Sequence, residues 1–394
     1  MKRFTKHTLA MILSVALFTG CTTSTINVNN SAQDNVEDNE NTVEEMKDTD
    51  GNKVDGKEQN EASSNSDSSD SVDNGEDTKE QQENEPKEID LQEIKPNEVG
   101  QVMVVMYHAL GDKEKDFVRT RENFRKDLEL LYEKGYRLIS LNDFVNNEIN
   151  IEAGKTPIVF TFDDGNITDF NIIEENGEKK IDPNCAVGIL EDFYSKHPDF
   201  GLESTFYIYG QNPFRQKDLI DYKLKYIVEK GMDIGNHTSG HDKLSVLSSE
   251  DIQKSLAKNV EFIKQYLPDY EVNSLALPYG DRPKSEDKRK YLYEGSFEGI
   301  SYENIGALAV GANPAHASIH NEFNYRYIPR VHGSSEKWGI RFWLEYFDRH
   351  PEKRYISDGD KDIVTIQESK VDLVNKDKVG DKELRTYKLK EQSK

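Results

Sequence analysis

The stretch that decides the reading is Thr156-Pro157-Ile158-Val159-Phe160-Thr161-Phe162-Asp163-Asp164-Gly165. Its β-branched and aromatic residues make an almost unbroken apolar run, the pattern of a strand buried on both faces. The run ends in two adjacent carboxylates, which are costly to bury unless something pairs with them. Successive side chains of a regular strand point to opposite faces. Both carboxylates can therefore serve one site only where the strand ends and the backbone turns, and Gly165 turns without steric penalty. A plain Asp-Asp-Gly turn fits these ten residues equally well, and the rest of the chain decides between the two.

Working outward, residues 102–108 are a second apolar run, closing on His108. Residues 122–134 carry Phe124, Leu128, Leu130 and Leu131 at helical spacing and stop at Gly135. Further helices are expected over 141–147, 186–197, 219–230, 248–266 and 337–347. Ser248 ahead of Glu250 and Asp251 has the make-up of a helix N-cap. Further strands are expected over 136–140, 204–209, 232–236, 272–277, 305–310 and 325–331. Residues 166–183 are polar without clear period and read as a loop at the mouth of a site, and the last stretch of the chain as an edge hairpin or a loose tail.

Strands alternating with helices predict an α/β fold with a parallel sheet. The number of units favours a distorted (β/α) barrel of about seven strands, with a doubly wound sheet as the alternative. Either fold puts its chemistry at strand C-terminal ends. That is where His108, Asp163, Asp164, His237 and Pro278-Tyr279-Gly280 fall.

Of 394 residues with a formal net charge of −23, residues 22–100 hold 23 acidic against 6 basic side chains and almost no aromatics. Such a segment cannot bury enough apolar surface to offset chain entropy, so 21–98 is expected to be a disordered acidic tether. Ahead of it, Lys2, Arg3 and Lys6 precede a short apolar run ending at Phe18-Thr19-Gly20-Cys21. This resembles a bacterial lipoprotein signal peptide, residues 1–20, with Cys21 as the lipid attachment point. It implies an extracytoplasmic protein lipid-anchored to the cell membrane. Only Cys185 then remains of two cysteines, so no intramolecular disulfide is expected, and its apolar neighbours make it a core residue. No basic stripe of the kind nucleic-acid binders carry is present.

His237 and His241 are four residues apart, a spacing at which two imidazoles can meet one ion, and two His with one carboxylate form an open catalytic metal set. The pair and the two aspartates explain one another: a cation neutralises one carboxylate and leaves the other free as a base. Thr161-Phe162-Asp163-Asp164-Gly165, His237-Thr238-Ser239-Gly240-His241 and Leu277-Pro278-Tyr279-Gly280 together resemble the motifs of the polysaccharide deacetylase family (the NodB-homology family, carbohydrate esterase family 4). The resemblance implies that residues 99–394 are a catalytic domain for metal-dependent removal of acetyl groups from N-acetylglucosamine polymers. It matches Asp163 to the base, Asp164, His237 and His241 to the metal ligands, and Tyr279 to the residue whose backbone N–H helps hold the oxyanion. The expected ion is Zn²⁺, although the donor set accepts other first-row ions.

Two departures stand out. Ala276 occupies the place of an Arg that orients the base in many members, and the late strand lacks their Leu-x-His. Met106-Tyr107-His108-Ala109-Leu110 resembles the opening of a poly-N-acetylglucosamine deacetylase subgroup whose acid His comes from the first strand. His108 is thus the expected general acid and His332 the reserve, and Arg330 is a candidate to orient Asp163. An O-acetyl esterase acting on xylan-type polymers and a carbohydrate-binding lipoprotein without turnover are the other readings.

Overall fold

The computed structural model describes residues 89–390. The expected signal segment, Cys21 and residues 21–88 of the expected tether lie outside the described residues. The folded part begins before Val99, where the domain boundary was expected. Residues Leu91–Ile94 form a helical turn capped by Asp90, and Asn97 and Glu98 are buried.

The frame is a parallel sheet curled into a distorted seven-stave barrel. Its strands are β1 (Gln101–Tyr107), β2 (Tyr136–Leu138), β3 (Thr156–Asp163), β4 (Thr205–Ile208), β5 (Asp233–Asn236), β6 (Ser274–Ala276), β7 (Gly306–Leu308) and β8 (Val331–His332). Around the sheet the order is β1, β3, β4, β5, β6, β7, each of these pairs parallel, with the short β2 joining the lower edge of β3 and Ala315–His316 pairing antiparallel with the start of β1. The seventh stave is the segment 328–332. Ile328 exchanges backbone hydrogen bonds with Ala307 and Ala309 at 2.8 and 2.9 Å, and Val331 registers with Val105 on β1. A strand was expected over 325–331. Its first half is instead a 3-10 turn, Tyr325–Tyr327, started by the Asn324 side chain, which accepts the Arg326 N–H.

Period-two alternation divides the strands between two cores. Met103, Val105 and Tyr107 face outward to Phe124, Leu128 and Leu131 of the first helix, α1 (Arg121–Glu133). Val102 and Val104 face the barrel interior with Val159, Tyr207, Ala276, Leu308 and Ile328. By the same parity His108, Thr161 and Asp163 belong to the interior face, at its upper end.

The helices over 186–196, 220–229, 249–264 and 340–349 lie close to their expected bounds. Ser248 caps the third of these, its hydroxyl accepting the Asp251 N–H, and Cys185 is buried as the N-cap of the first. Two further expectations fail. The polar stretch 166–183 is not all loop, because Ile172–Glu175 and Glu178–Ile181 pair as an antiparallel hairpin. Near the C-terminus, Ile363–Gln367 and Glu383–Tyr387 pair in parallel rather than as a hairpin, joined by two 3-10 turns. Val364 and Ile366 of this pair join the interior core.

Candidate metal and acid–base site

The upper mouth of the barrel gathers the expected residues. β3 is buried along its whole length and delivers Asp163 at its end. The next two residues leave the strand through left-handed backbone, Asp164 at φ +78° and Gly165 at φ +54°. That reversal lets two adjacent carboxylates face one site. Thr238, His241 and Tyr279 also sit at positive φ, at +65°, +55° and +60°. Strain of this kind in non-glycine residues persists only where the surroundings over-determine it, and it gathers at functional sites.

β5 leads into the turn that carries both imidazoles. Asn236 organises this turn: its side-chain oxygen accepts the Thr238 N–H at 2.9 Å, and Thr238 Oγ1 accepts the Asp242 N–H at 2.8 Å. His237 is buried, and its Nδ1–H donates to the Ala276 carbonyl at 2.8 Å. The proton therefore sits on Nδ1 and the Nε2 lone pair is open. Nε2 of His237 and Nε2 of His241 each lie 3.4 Å from Asp164 Oδ1. His237 Nε2 and Asp164 Oδ1 are buried without hydrogen-bond partners. Two orphaned buried acceptors, one of them an imidazole nitrogen, and the second imidazole of His241 converging on one point fit a divalent ion, with the backbone carbonyl fixing the ligand tautomer. Burial lowers the pKa of His241 and His237 lowers it further, opposed by the Asp164 carboxylate, and the net fall favours the neutral ring that a ligand requires.

A second cluster, His316, His320 and Glu322, also brings potential ligands together. It is built differently. His320 Nδ1 accepts the Glu322 N–H at 3.0 Å, so the neutral ring keeps its proton on Nε2.

Asp163 stands beside this centre but is committed elsewhere. Arg330 Nη1 and Nη2 donate to its two oxygens at 2.8 and 2.7 Å. Arg330 is fully buried and also donates to Thr161 Oγ1 at 3.1 Å and the Ala309 carbonyl at 2.8 Å. Burial would raise the Asp163 pKa, but the guanidinium outweighs it and holds the carboxyl far below the usual range. The guanidinium expected at position 276 by family pattern thus enters from the seventh stave. His108 Nε2 lies 3.9 Å from Asp163 Oδ2. Burial lowers the His108 pKa, opposed by the Asp163 and Asp164 carboxylates. His332 registers with Met106 and lies beside Phe117, with ring centroids 6.1 Å apart. Tyr279 lies in a 3-10 turn after β6, with its exposed ring edge-on to His241 at 4.5 Å.

Two features were not foreseen. Phe117 covers His108, with ring centroids 4.6 Å apart. Lys223 is fully buried, and its ammonium donates to the Phe170 and Phe214 carbonyls at 2.6 and 3.2 Å. Phe214 in turn donates its N–H to Gly165 O at 2.7 Å, next to Asp164.

Comparison with known proteins gives these residues a context. Residues 150–293 match the family model described as polysaccharide deacetylase. A curated relative, "Putative polysaccharide deacetylase YxkH" of Bacillus subtilis (strain 168), is 20% identical over 168 residues, 42% of this chain. The chain spans about half the length of that relative, 52%. Among solved structures, the Streptococcus pyogenes deacetylase PplD, in complex with acetate, aligns at TM-score 0.46 and 16% identity, over 62% of this chain and 97% of PplD. IcaB from Ammonifex degensii aligns at TM-score 0.45 and 16% identity, over 63% and 97%. The matched segment contains Asp163, Asp164, His237, His241 and Tyr279 and leaves His108 and Arg330 on either side of it. Residues 150–293 thus carry a polysaccharide deacetylase domain.

Proposed function

We propose that this protein is a metal-dependent hydrolase that removes acetyl groups from an N-acetylglucosamine-containing cell-surface polysaccharide. The observation that carries the reading is the split of the aspartate pair. Asp164 Oδ1 faces two imidazole nitrogens without a hydrogen-bond partner, while Asp163 is paired with Arg330 and faces His108.

Asp164, His237 and His241 would hold the ion, Zn²⁺ being the expected one. When bound, such an ion supplies Lewis-acid chemistry, polarising a carbonyl and acidifying water. The remaining work falls to the chain. Asp163, kept ionised and oriented by Arg330, accepts the proton of the attacking water. The backbone N–H of Tyr279 donates to the oxyanion that develops at the acetyl carbonyl. His108 in its protonated form gives its proton to the sugar nitrogen as the C–N bond breaks, because an amide anion cannot leave at neutral pH. Acetate and a free amine result.

Acetate release from N-acetylglucosamine oligomers, with and without chelator, tests this. No metal-dependent release from any glucosamine polymer or acetylated xylan would sink it. Release from acetylated xylan alone selects the O-acetyl esterase. The binding-only reading rested on Ala276 and the weak late strand, and Arg330 on Asp163 together with His108 at 3.9 Å speaks against it. The same proposal places the protein outside the cytoplasm, anchored by lipid at Cys21. Its test is membrane fractionation of a Cys21→Ala variant, which should move to the soluble fraction.

A further inference from the structure

Phe117 is a large apolar side chain held where neither packing nor backbone preference would put it. Its side chain is 53% exposed, and its backbone sits at φ +59°, a region that bulky residues rarely adopt. It is not on a frayed tip. The turn lies between Ala109–Gly111 and Val118–Thr120, two short parallel strands that follow His108. Ala109 donates to Phe117 O at 3.1 Å, and Lys115 and Val118 exchange backbone bonds at 3.3 and 2.9 Å. Beyond the turn, buried Arg119 is tied to Asp127 at 2.8 and 2.7 Å. The strain is thus built in, and what it achieves is to lay a phenyl ring on the His108 imidazole while leaving much of the ring open to solvent. Across the centre Tyr279 repeats the combination, with an exposed ring, φ +60° and packing on His241. An exposed aromatic ring therefore stands at each end of the site, one on a metal ligand and one on the acid.

We propose that Phe117 is a specificity-determining residue that contacts substrate, its open face stacking on the pyranose ring that bears the acetamido group. The inference rests on the proposed function, in which His108 protonates the departing nitrogen. That nitrogen is bonded directly to a ring carbon of the sugar. A sugar whose nitrogen reaches His108 Nε2 brings its own ring within reach of whatever packs on His108, and Phe117 does. Pyranose rings present C–H faces that a phenyl face can desolvate, so the contact favours a sugar over a small acetamide.

The test compares wild type with Phe117→Ala, Phe117→Leu and Phe117→Tyr. It measures kcat and KM for acetate release from an N-acetylglucosamine oligomer, and binding of that oligomer to the same variants carrying Asp163→Asn, by calorimetry. Phe117→Ala should raise KM about ten-fold and weaken binding by a similar factor. Phe117→Tyr should restore both. Phe117→Leu, which keeps an apolar cover on His108 but no ring, should not. If Phe117→Leu behaves as wild type, or if Phe117→Ala leaves KM and binding unchanged while wild type releases acetate, this inference is overturned and the proposed function stands. If wild type releases no acetate, the proposed function falls and the inference falls with it.

Discussion

Arg330 grips both carboxylate oxygens of Asp163, at 2.8 and 2.7 Å, and both side chains are buried. A two-pronged guanidinium pair fixes direction as well as charge. It aims Asp163 from the last stave of the barrel across to the third strand, and it keeps the carboxyl ionised in a place where burial alone would protonate it.

Removing the guanidinium leaves that carboxyl buried and unpaired. Arg330→Met should therefore lose stability by about 3–5 kcal/mol, the usual cost of breaking a buried pair from one side. Arg330→Lys restores charge without the fork and should recover part of the stability but little activity. Urea unfolding and acetate release on the same three proteins check this. Equal stability of wild type and Arg330→Met would show that the pair does not hold Asp163.

The same residues mark what the sequence could and could not say. The apolar run of β3, its paired carboxylates and the two imidazoles four apart are local patterns, and each lies where it was expected. Arg330 and Asp163 are 167 positions apart, and no local pattern joins them, although His108, Thr161 and Asp163 all fall on interior parity once the strand phases are known. The hairpin at 172–181 carries a local signal of its own. Asn176-Gly177, at φ +56° and +81°, is the turn pair that favours a two-residue hairpin, but the charged Glu and Lys around it hid the alternation. The parallel pairing of Ile363–Gln367 with Glu383–Tyr387 has no such signal, because its register is set by the core above it.

The proposed metal set predicts a linkage effect. An ion that binds only the folded protein stabilises it in proportion to the logarithm of its concentration over Kd, about 2.7 kcal/mol at a hundred-fold excess. Adding Zn²⁺ to chelator-treated wild type should raise Tm, and the same addition to a variant carrying Asp164→Ala and His237→Ala should not. Calorimetric scans in the two states decide it, without reference to any substrate.

Lys223 predicts a defect at a distance. Its buried ammonium joins the Phe170 and Phe214 carbonyls, and Phe214 is bonded to Gly165 next to Asp164. Lys223→Met keeps the length of the side chain and removes the donor. Each buried carbonyl left without its partner costs about 1–3 kcal/mol, and the Gly165 turn loosens. The variant should unfold at lower urea and bind Zn²⁺ more weakly than wild type, as read by titration against a metal-indicator dye. Unchanged Zn²⁺ affinity would separate this clamp from the site.

Glu98 predicts how stability depends on pH. Its carboxylate accepts hydrogen bonds from the N–H groups of Thr365 and Asp358 and from the Tyr355 hydroxyl. No cation pairs with it among the described residues. Burial pushes its pKa up from 4.5 to about 8, Asp358 adding to the rise, and the three donors offset only part of it. Because the folded-state pKa lies above the unfolded value, the folded protein holds this proton more tightly than the unfolded chain. The contribution is fully present below about pH 4.5 and is lost as pH rises toward and through about 8, a change on the order of a few kcal/mol. Buried Asp358 is displaced in the same direction, so wild type alone reports a sum. The difference between wild type and Glu98→Gln isolates the one group. Unfolding free energies from pH 4 to 9 should fall less steeply for the variant than for wild type, and parallel curves through that window would mean that Glu98 stays ionised in the fold.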